Sequence, residues 1–404
     1  MTQQASPTLD SNRIISLDVL RGFALLGIFV MNMISFAMVG ANYLNPMAEG
    51  ALTGVDSWAY EFTQLFANTK FMSLFSILFG AGVVLFTDRL KTKGLNEAKW
   101  HFRRNFWLLI IGMAHGYLLW SGDILVSYAL CAIWVFFFRN WKARNLIIAA
   151  AVFFFIEIGL SLLSGWSIQY WDSAEVAELC AVWTPSQEDI DAEVAAMTGS
   201  WMDQMPLRVE NTLAMQTFVF LMIMIWKVTS MMLLGMGLYK SGVITGAKSR
   251  DFYKSLRMWG FLIGAGFFVL GMNKNIDHGY SCEYSFFEGT IYNSISSVGI
   301  VLFYISVLLL MLQGNWKERL EKWLAPVGRM ALTNYLMQTI IATTIFFGHG
   351  FGLFGTMGRA EHWLVIIPVW IFQIIFSRWW LSKYTFGPAE WAWRSLTYWK
   401  KQVM

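Results

Sequence analysis

The sequence predicts an all-α, polytopic membrane helix bundle of about ten transmembrane helices, with the N and C termini on the cytoplasmic side. Three observations predict it. Hydrophobic residues make up 56% of the chain and charged residues only 14%, where a soluble domain carries about 25% charged residues. Apolar runs of roughly 17–25 residues, the length that crosses a bilayer as a helix, recur along the chain. Lys and Arg collect in alternate connecting segments, as they do in short cytoplasmic loops. The 21 Trp suit membrane–water interfaces, and a formal charge of +4 is too small to imply a nucleic-acid partner.

The elements follow in order. The stretch Met1–Arg13 is polar and lacks a basic-then-apolar segment with a cleavage site, so the first apolar helix is expected to be an uncleaved anchor. Spans are expected at 19–39, 67–87, 105–120, 122–138, 145–168, 213–238, 256–272, 289–312, 330–348 and 362–381. The third and fourth are short and nearly fused through the turn Trp120-Ser121-Gly122-Asp123. The segments 88–104, 139–144, 239–257, 313–329 and the amphipathic tail 382–404 are basic and expected inside. The segments between them hold few basic residues. The longest, 169–212, is acidic and reads as an extracytoplasmic excursion with one or two short helices. Cys180 and Cys282 both fall in outside segments, where an oxidising compartment would allow them to pair. No Cys-x-x-Cys or Cys/His spacing points to a metal site.

Ionisable groups inside a membrane helix are costly, which makes each a functional candidate. Arg21 starts the first helix and either pairs with Asp18 or offers its fork to a phosphorylated ligand entering from the cytoplasm. His115 lies in the outer part of the third helix, among small residues, and imidazole is the side chain best placed for proton transfer near neutral pH. Asp123 caps the fourth helix, and the tight turn brings it back towards His115, where a carboxylate would fix the imidazole tautomer. Glu157 and Lys227 fall at the midpoints of consecutive helices, as a buried ion pair or a relay. Asn32, Asn293, Asn334, Gln338 and Gln373 suit hydrogen bonds between helices. The run Phe71–Gly82, FMSLFSILFGAG, has the small residues of a close helix crossing.

Five stretches together resemble the YeiB-like family of bacterial inner-membrane proteins: SLDVLRGFALLGIFVMN at 16–32, FMSLFSILFGAG at 71–82, HGYLLWSGDILVSYAL at 115–130, GRMALTNYLMQ at 328–338 and FGPAEWAWRSLTY at 386–398. They span nearly the whole chain. More distantly, the first helix resembles the transmembrane acyltransferase superfamily, which includes heparan-glucosaminide N-acetyltransferases and polysaccharide O-acyltransferases. The O-acyltransferases carry an Arg in this stretch, matched by Arg21, and a His where this chain has Asn32; the heparan-type relatives also have Asn there.

That resemblance implies an acyl-CoA, acetyl-CoA in the first instance, as donor substrate. The residues it carries over are Arg21, for the donor's phosphates, and Asn32, for the site; location in the chain adds Arg103 and Arg104 of the basic 88–104 segment near those phosphates and His115, oriented by Asp123, as base. The acceptor would be a hydroxyl or amine on an extracytoplasmic glycan or small molecule, in a multi-pass inner-membrane protein surrounded by lipid, and a homo-oligomer is compatible with such a bundle. The competing readings are a transporter or flippase of a small or lipid-linked solute, with Glu157, Lys227 and His115 as its relay, and a non-catalytic scaffold or sensor.

Overall fold

The computed structural model describes residues 13–404, so most of the polar stretch Met1–Arg13 lies outside the described residues. The described chain is helical, with no strand among the described residues. In order, the helices are α1 (Ile15–Ala37), α2 (Ala41–Leu44), α3 (Gly54–Phe66), α4 (Lys70–Thr92), α5 (Glu97–Leu118), α6 (Leu125–Val135), α7 (Ala143–Ser167), α8 (Ser173–Trp183) and α9 (Gln187–Thr198). They continue as α10 (Met205–Ala214), α11 (Ile225–Lys240), α12 (Arg250–Asp277), α13 (Cys282–Ser285), α14 (Glu288–Leu312), α15 (Lys317–Arg329), α16 (Ala331–Phe346), α17 (Trp363–Leu381) and α18 (Pro388–Tyr398). A wide π-helical stretch, Met215–Met224, fuses α10 and α11 into one rod.

Among the described residues, seven helical stretches are long and apolar enough to cross a membrane: α1, α3 with α4, α7, α10 with α11, α12, α13 with α14, and α17. The three remaining expected spans correspond to α5, α6 and α16. Helix α5 is long enough, but its first turns carry Glu97, Lys99, Arg103 and Arg104. Helices α6 and α16 have 11 and 16 residues, or about 16 and 24 Å at 1.5 Å per residue.

Helix α1 is the hub and is buried along most of its length, whereas α7, α12 and α17 turn apolar faces outward. Phe155, Leu163, Leu262, Leu364 and Ile375 stand exposed on those three helices, as a lipid-facing perimeter requires. Glycine allows the closest crossings. A Cβ on Gly80 would lie 2.0 Å from the Met232 carbonyl oxygen, and one on Gly235 1.9 Å from that of Ile77. Helices α4 and α11 therefore touch backbone to backbone, as the small residues of the Phe71–Gly82 run predict.

The connecting segments gather at two ends. At one, the Arg139 guanidinium donates to Glu97 at 2.9 Å, Lys240 donates to the Trp141 carbonyl at 2.8 Å, and Gln313 donates to that of Lys248 at 3.0 Å. At the other, Asn45 donates to the Trp183 carbonyl at 3.0 Å, Trp183 to that of Tyr280 at 2.9 Å, and the Gly348 N–H to that of Met197 at 2.9 Å. The Cys180–Cys282 disulfide also lies at this second end, with Cα atoms 5.6 Å apart, and joins α8 to α13. The acidic excursion thus folds into α8, α9 and the start of α10. Its best-defined boundary is the α9 capping box, in which Ser186 and Asp189 satisfy each other's backbone N–H groups.

Candidate active site

Helix α5 carries His115 near its end, and α6 begins just after Asp123. The turn between them brings His115 Nδ1 to 2.8 Å from Asp123 Oδ1. The other carboxylate oxygen accepts the Val126 N–H at 2.9 Å and caps α6. A carboxylate only accepts, so Nδ1 carries the proton, and in the neutral ring Nε2 keeps a lone pair. The Thr339 hydroxyl of α16 donates to Nε2 at 2.9 Å. All three side chains are buried. Around them stand Tyr335, with its ring centroid 5.0 Å from that of His115, and Trp120 at 6.2 Å. The Thr212 hydroxyl donates to the Gly116 carbonyl at 3.0 Å and pins the α10 rod against the end of α5.

Below this cluster lies a cavity of about 280 Å³. Its deep end is closed by Tyr335, Ile124 and Leu125, and its walls by Phe79, Val83 and Leu108. Its other end is cationic, lined by Arg13, Arg21, Arg89, Arg104, Arg329 and Arg394 against the two carboxylates Asp18 and Glu390. Asp18 is shared: Arg13 donates to it at 2.9 and 3.1 Å and Arg21 at 3.1 Å. Arg104 stacks on Trp393, 4.4 Å from the ring centroid. Burial lowers the Arg394 pKa from its usual value, and the nearby Arg13 charge adds to that. Arginine forks around an apolar shaft suit a phosphorylated amphiphile.

The structure therefore brings together His115 and Asp123, and sets both Arg21 and Arg104 in the lining of one cavity. Two expected donor contacts do not join them. Arg103 points away from the cavity and lies 3.7 Å over the Trp399 ring. Asn32 is half-buried on α1 and does not line the cavity. Both follow from helix geometry: Arg103 and Arg104 are about 100° apart on α5, and Asn32 is three turns beyond Arg21.

Other site residues were not singled out from the sequence. Tail helix α18 is amphipathic as expected, but it packs into the bundle and forms a cavity wall. Its Glu390 accepts the backbone N–H groups of Leu332 and Thr333 at 2.6 and 3.1 Å and the Thr333 hydroxyl at 2.6 Å, capping α16 from another helix. Burial raises the pKa of that carboxyl, and the Thr333 and Leu332 hydrogen bonds oppose the rise. The available signal is a lone acid in an aromatic tail segment, two residues after Pro388. Tyr335 lies within the GRMALTNYLMQ stretch and Thr339 directly follows it, four residues on at helical spacing, which is their only signal.

A second buried polar cluster lies elsewhere in the bundle. Lys227 donates to Glu157 at 3.2 Å and to Ser294 at 2.9 Å, and the Ser294 hydroxyl donates to Glu157 at 2.8 Å. Nearby, Lys70 is fully buried at the start of α4 and donates to the Gln64 carbonyl at 2.8 Å and to Asn293. A further ladder, Asn334–Gln373–Gln338, ties α16 to α17.

The profile of a family described as "Protein of unknown function (DUF418)" matches residues 238–400. The uncharacterized protein YeiB of Escherichia coli (strain K12) is 31% identical, over 95% of this chain and 96% of its own length. The uncharacterized protein YxaH of Bacillus subtilis (strain 168) is 33% identical, over 97% of this chain and 96% of its own. An uncharacterized 39.9 kDa protein of Bacillus acidopullulyticus is 29% identical, over 98% of this chain and 96% of its own. With identity above 30% sustained from end to end, the chain belongs to the YeiB-like family.

Proposed function

We propose that the protein is a membrane acyltransferase that moves an acyl group, acetyl in the first instance, from a cytoplasmic acyl-CoA to a hydroxyl or amine on an extracytoplasmic glycan or small molecule. One observation carries this reading: the cavity runs from a cluster of arginines to Tyr335, and the His115–Asp123 pair sits directly behind Tyr335. Phosphates would bind among Arg21, Arg104 and Arg394, and the pantetheine arm would run along the apolar shaft. His115 Nε2 would take the proton that must leave the alcohol or amine during acyl transfer.

We further place ten crossings in the bacterial inner membrane, with both termini inside. The segments with basic loops meet at one end of the bundle and the acidic excursion meets the other. The disulfide at that second end suits an oxidising exterior. The two short helices α6 and α16 meet α5 at the site, where donor and acceptor would come together.

The deciding test uses the purified chain with radiolabelled acetyl-CoA. Saturable binding is expected, and His115→Ala should keep that binding and lose transfer. Absence of affinity for acetyl-CoA would reject the reading. The Glu157–Lys227–Ser294 cluster favours a second reading, a transporter or flippase, because intramembrane ionisable groups mark ion and proton paths. Solute uptake into proteoliposomes that Glu157→Gln abolishes would favour it.

A further inference from the structure

Thr339 does not behave like an ordinary helical threonine. An alcohol inside a helix usually returns its hydrogen bond to the carbonyl three or four residues back. On the same helix, Thr344 does so with Ile340 at 2.7 Å and Thr343 with Ile340 at 3.3 Å. Thr339 instead presents its hydroxyl to His115 Nε2 at 2.9 Å, while Asp123 holds Nδ1 at 2.8 Å.

Carboxylate, imidazole and alcohol in that order form the arrangement that activates a hydroxyl for attack on an acyl carbon. The carboxylate fixes the tautomer, and the free lone pair takes the hydroxyl proton as the oxygen attacks. Exposure is 6% for Asp123, 2% for His115 and 1% for Thr339, so water does not compete for the alcohol. Position along α16 supplies the second argument. Ala331, Leu332 and Tyr335 line the cavity, and Thr339 is the next residue on that stripe, one turn beyond Tyr335.

We propose that Thr339 is a nucleophile and that the acyl group passes through an ester on its side chain. This rests on the acyl-transfer reading for its donor. In the first half, Thr339 Oγ1 bonds to the thioester carbon and the carbon–sulfur bond breaks. The hydroxyl proton moves to His115 Nε2 and from there to the departing CoA thiolate, giving free CoA thiol. In the second half, the acceptor oxygen or nitrogen bonds to the same carbon, the Thr339 ester bond breaks, and the acceptor proton returns to Thr339 through His115. Atoms and charge balance with no further reactant.

The test is exchange without acceptor. Purified full-length protein is first shown to bind acetyl-CoA, then incubated with acetyl-CoA and radiolabelled CoA. A covalent route incorporates label into acetyl-CoA, and mass spectrometry finds an acetyl ester on the peptide holding Thr339. Thr339→Ser should keep exchange, whereas the isosteric Thr339→Val should lower it at least 100-fold with CoA affinity and melting temperature unchanged. Binding without exchange, exchange that survives in Thr339→Val, or acetyl on His115 in place of Thr339 overturns the proposal alone. Absence of binding removes the acyl-transfer reading and this proposal with it.

Discussion

Asp123 faces two ways: Oδ1 is 2.8 Å from His115 Nδ1, and Oδ2 accepts the Val126 N–H at 2.9 Å. One carboxylate therefore both starts a helix and orients the imidazole of the preceding helix. The two roles separate by substitution. Asp123→Asn keeps an oxygen for the cap but no longer fixes the tautomer, and is expected to lower transfer by about 10²–10⁴-fold with little change in melting temperature. Asp123→Ala loses the cap as well, at about 1 kcal/mol. Acetyl transfer rates and thermal melts of both variants check this; an Asn variant at the wild-type rate would remove the orienting role.

The pair was legible because Trp120–Asp123 is too short to do anything but fold α6 back on α5. The same holds for Glu157 with Lys227, where two charges at matching depth in consecutive apolar helices have few partners but each other. Thr339 was not legible. A hydroxyl in an apolar helix looks like packing until its partner, 224 residues away in sequence, is known. Arg103 failed because position in the chain does not give the face a side chain takes, and Asn32, on nearly the same face as Arg21, because it lies three turns beyond it. Glu390 was hidden because a tail rich in Trp reads as interfacial, and only tertiary contact reveals that its acid caps another helix.

Glu390→Ala is expected to be among the costliest substitutions in the chain. It leaves the Leu332 and Thr333 N–H groups and the Thr333 hydroxyl without their acceptor. Unmet buried donors cost roughly 1–3 kcal/mol each, and with the two Thr333 donors only part-buried the three together imply a loss of at least about 3 kcal/mol. Because α18 also brings Trp393 and Arg394 to the cavity, acetyl-CoA affinity should fall at least tenfold. Glu390→Gln, which keeps one acceptor oxygen, should fall between. Melting and binding measured together would expose a purely local effect, in which stability drops but affinity does not.

The Cys180–Cys282 bond tests orientation and stability at once. Reductant should slow the chain on a denaturing gel and lower the melting temperature, at about 2–4 kcal/mol for loss of the bridge. After mild reduction of intact spheroplasts, a membrane-impermeant maleimide should label both cysteines and leave the buried Cys131 untouched. Labelling only after the membrane is broken would invert the topology.

Lys227 and Glu157 sit in an apolar setting in which one charge without the other is far worse than neither. Lys227→Met is expected to cost about 3–5 kcal/mol, because it strands the Glu157 carboxylate with only the Ser294 hydroxyl. The double variant Glu157→Leu/Lys227→Met removes both charges and should recover to within about 1–2 kcal/mol of wild type. Acetyl transfer by that double variant separates the two functional readings. A pair that only holds α7 to α11 leaves transfer intact once the fold is restored. A pair that relays ions cannot be replaced by hydrocarbon, and proteoliposome uptake would be lost even in a fully folded double variant.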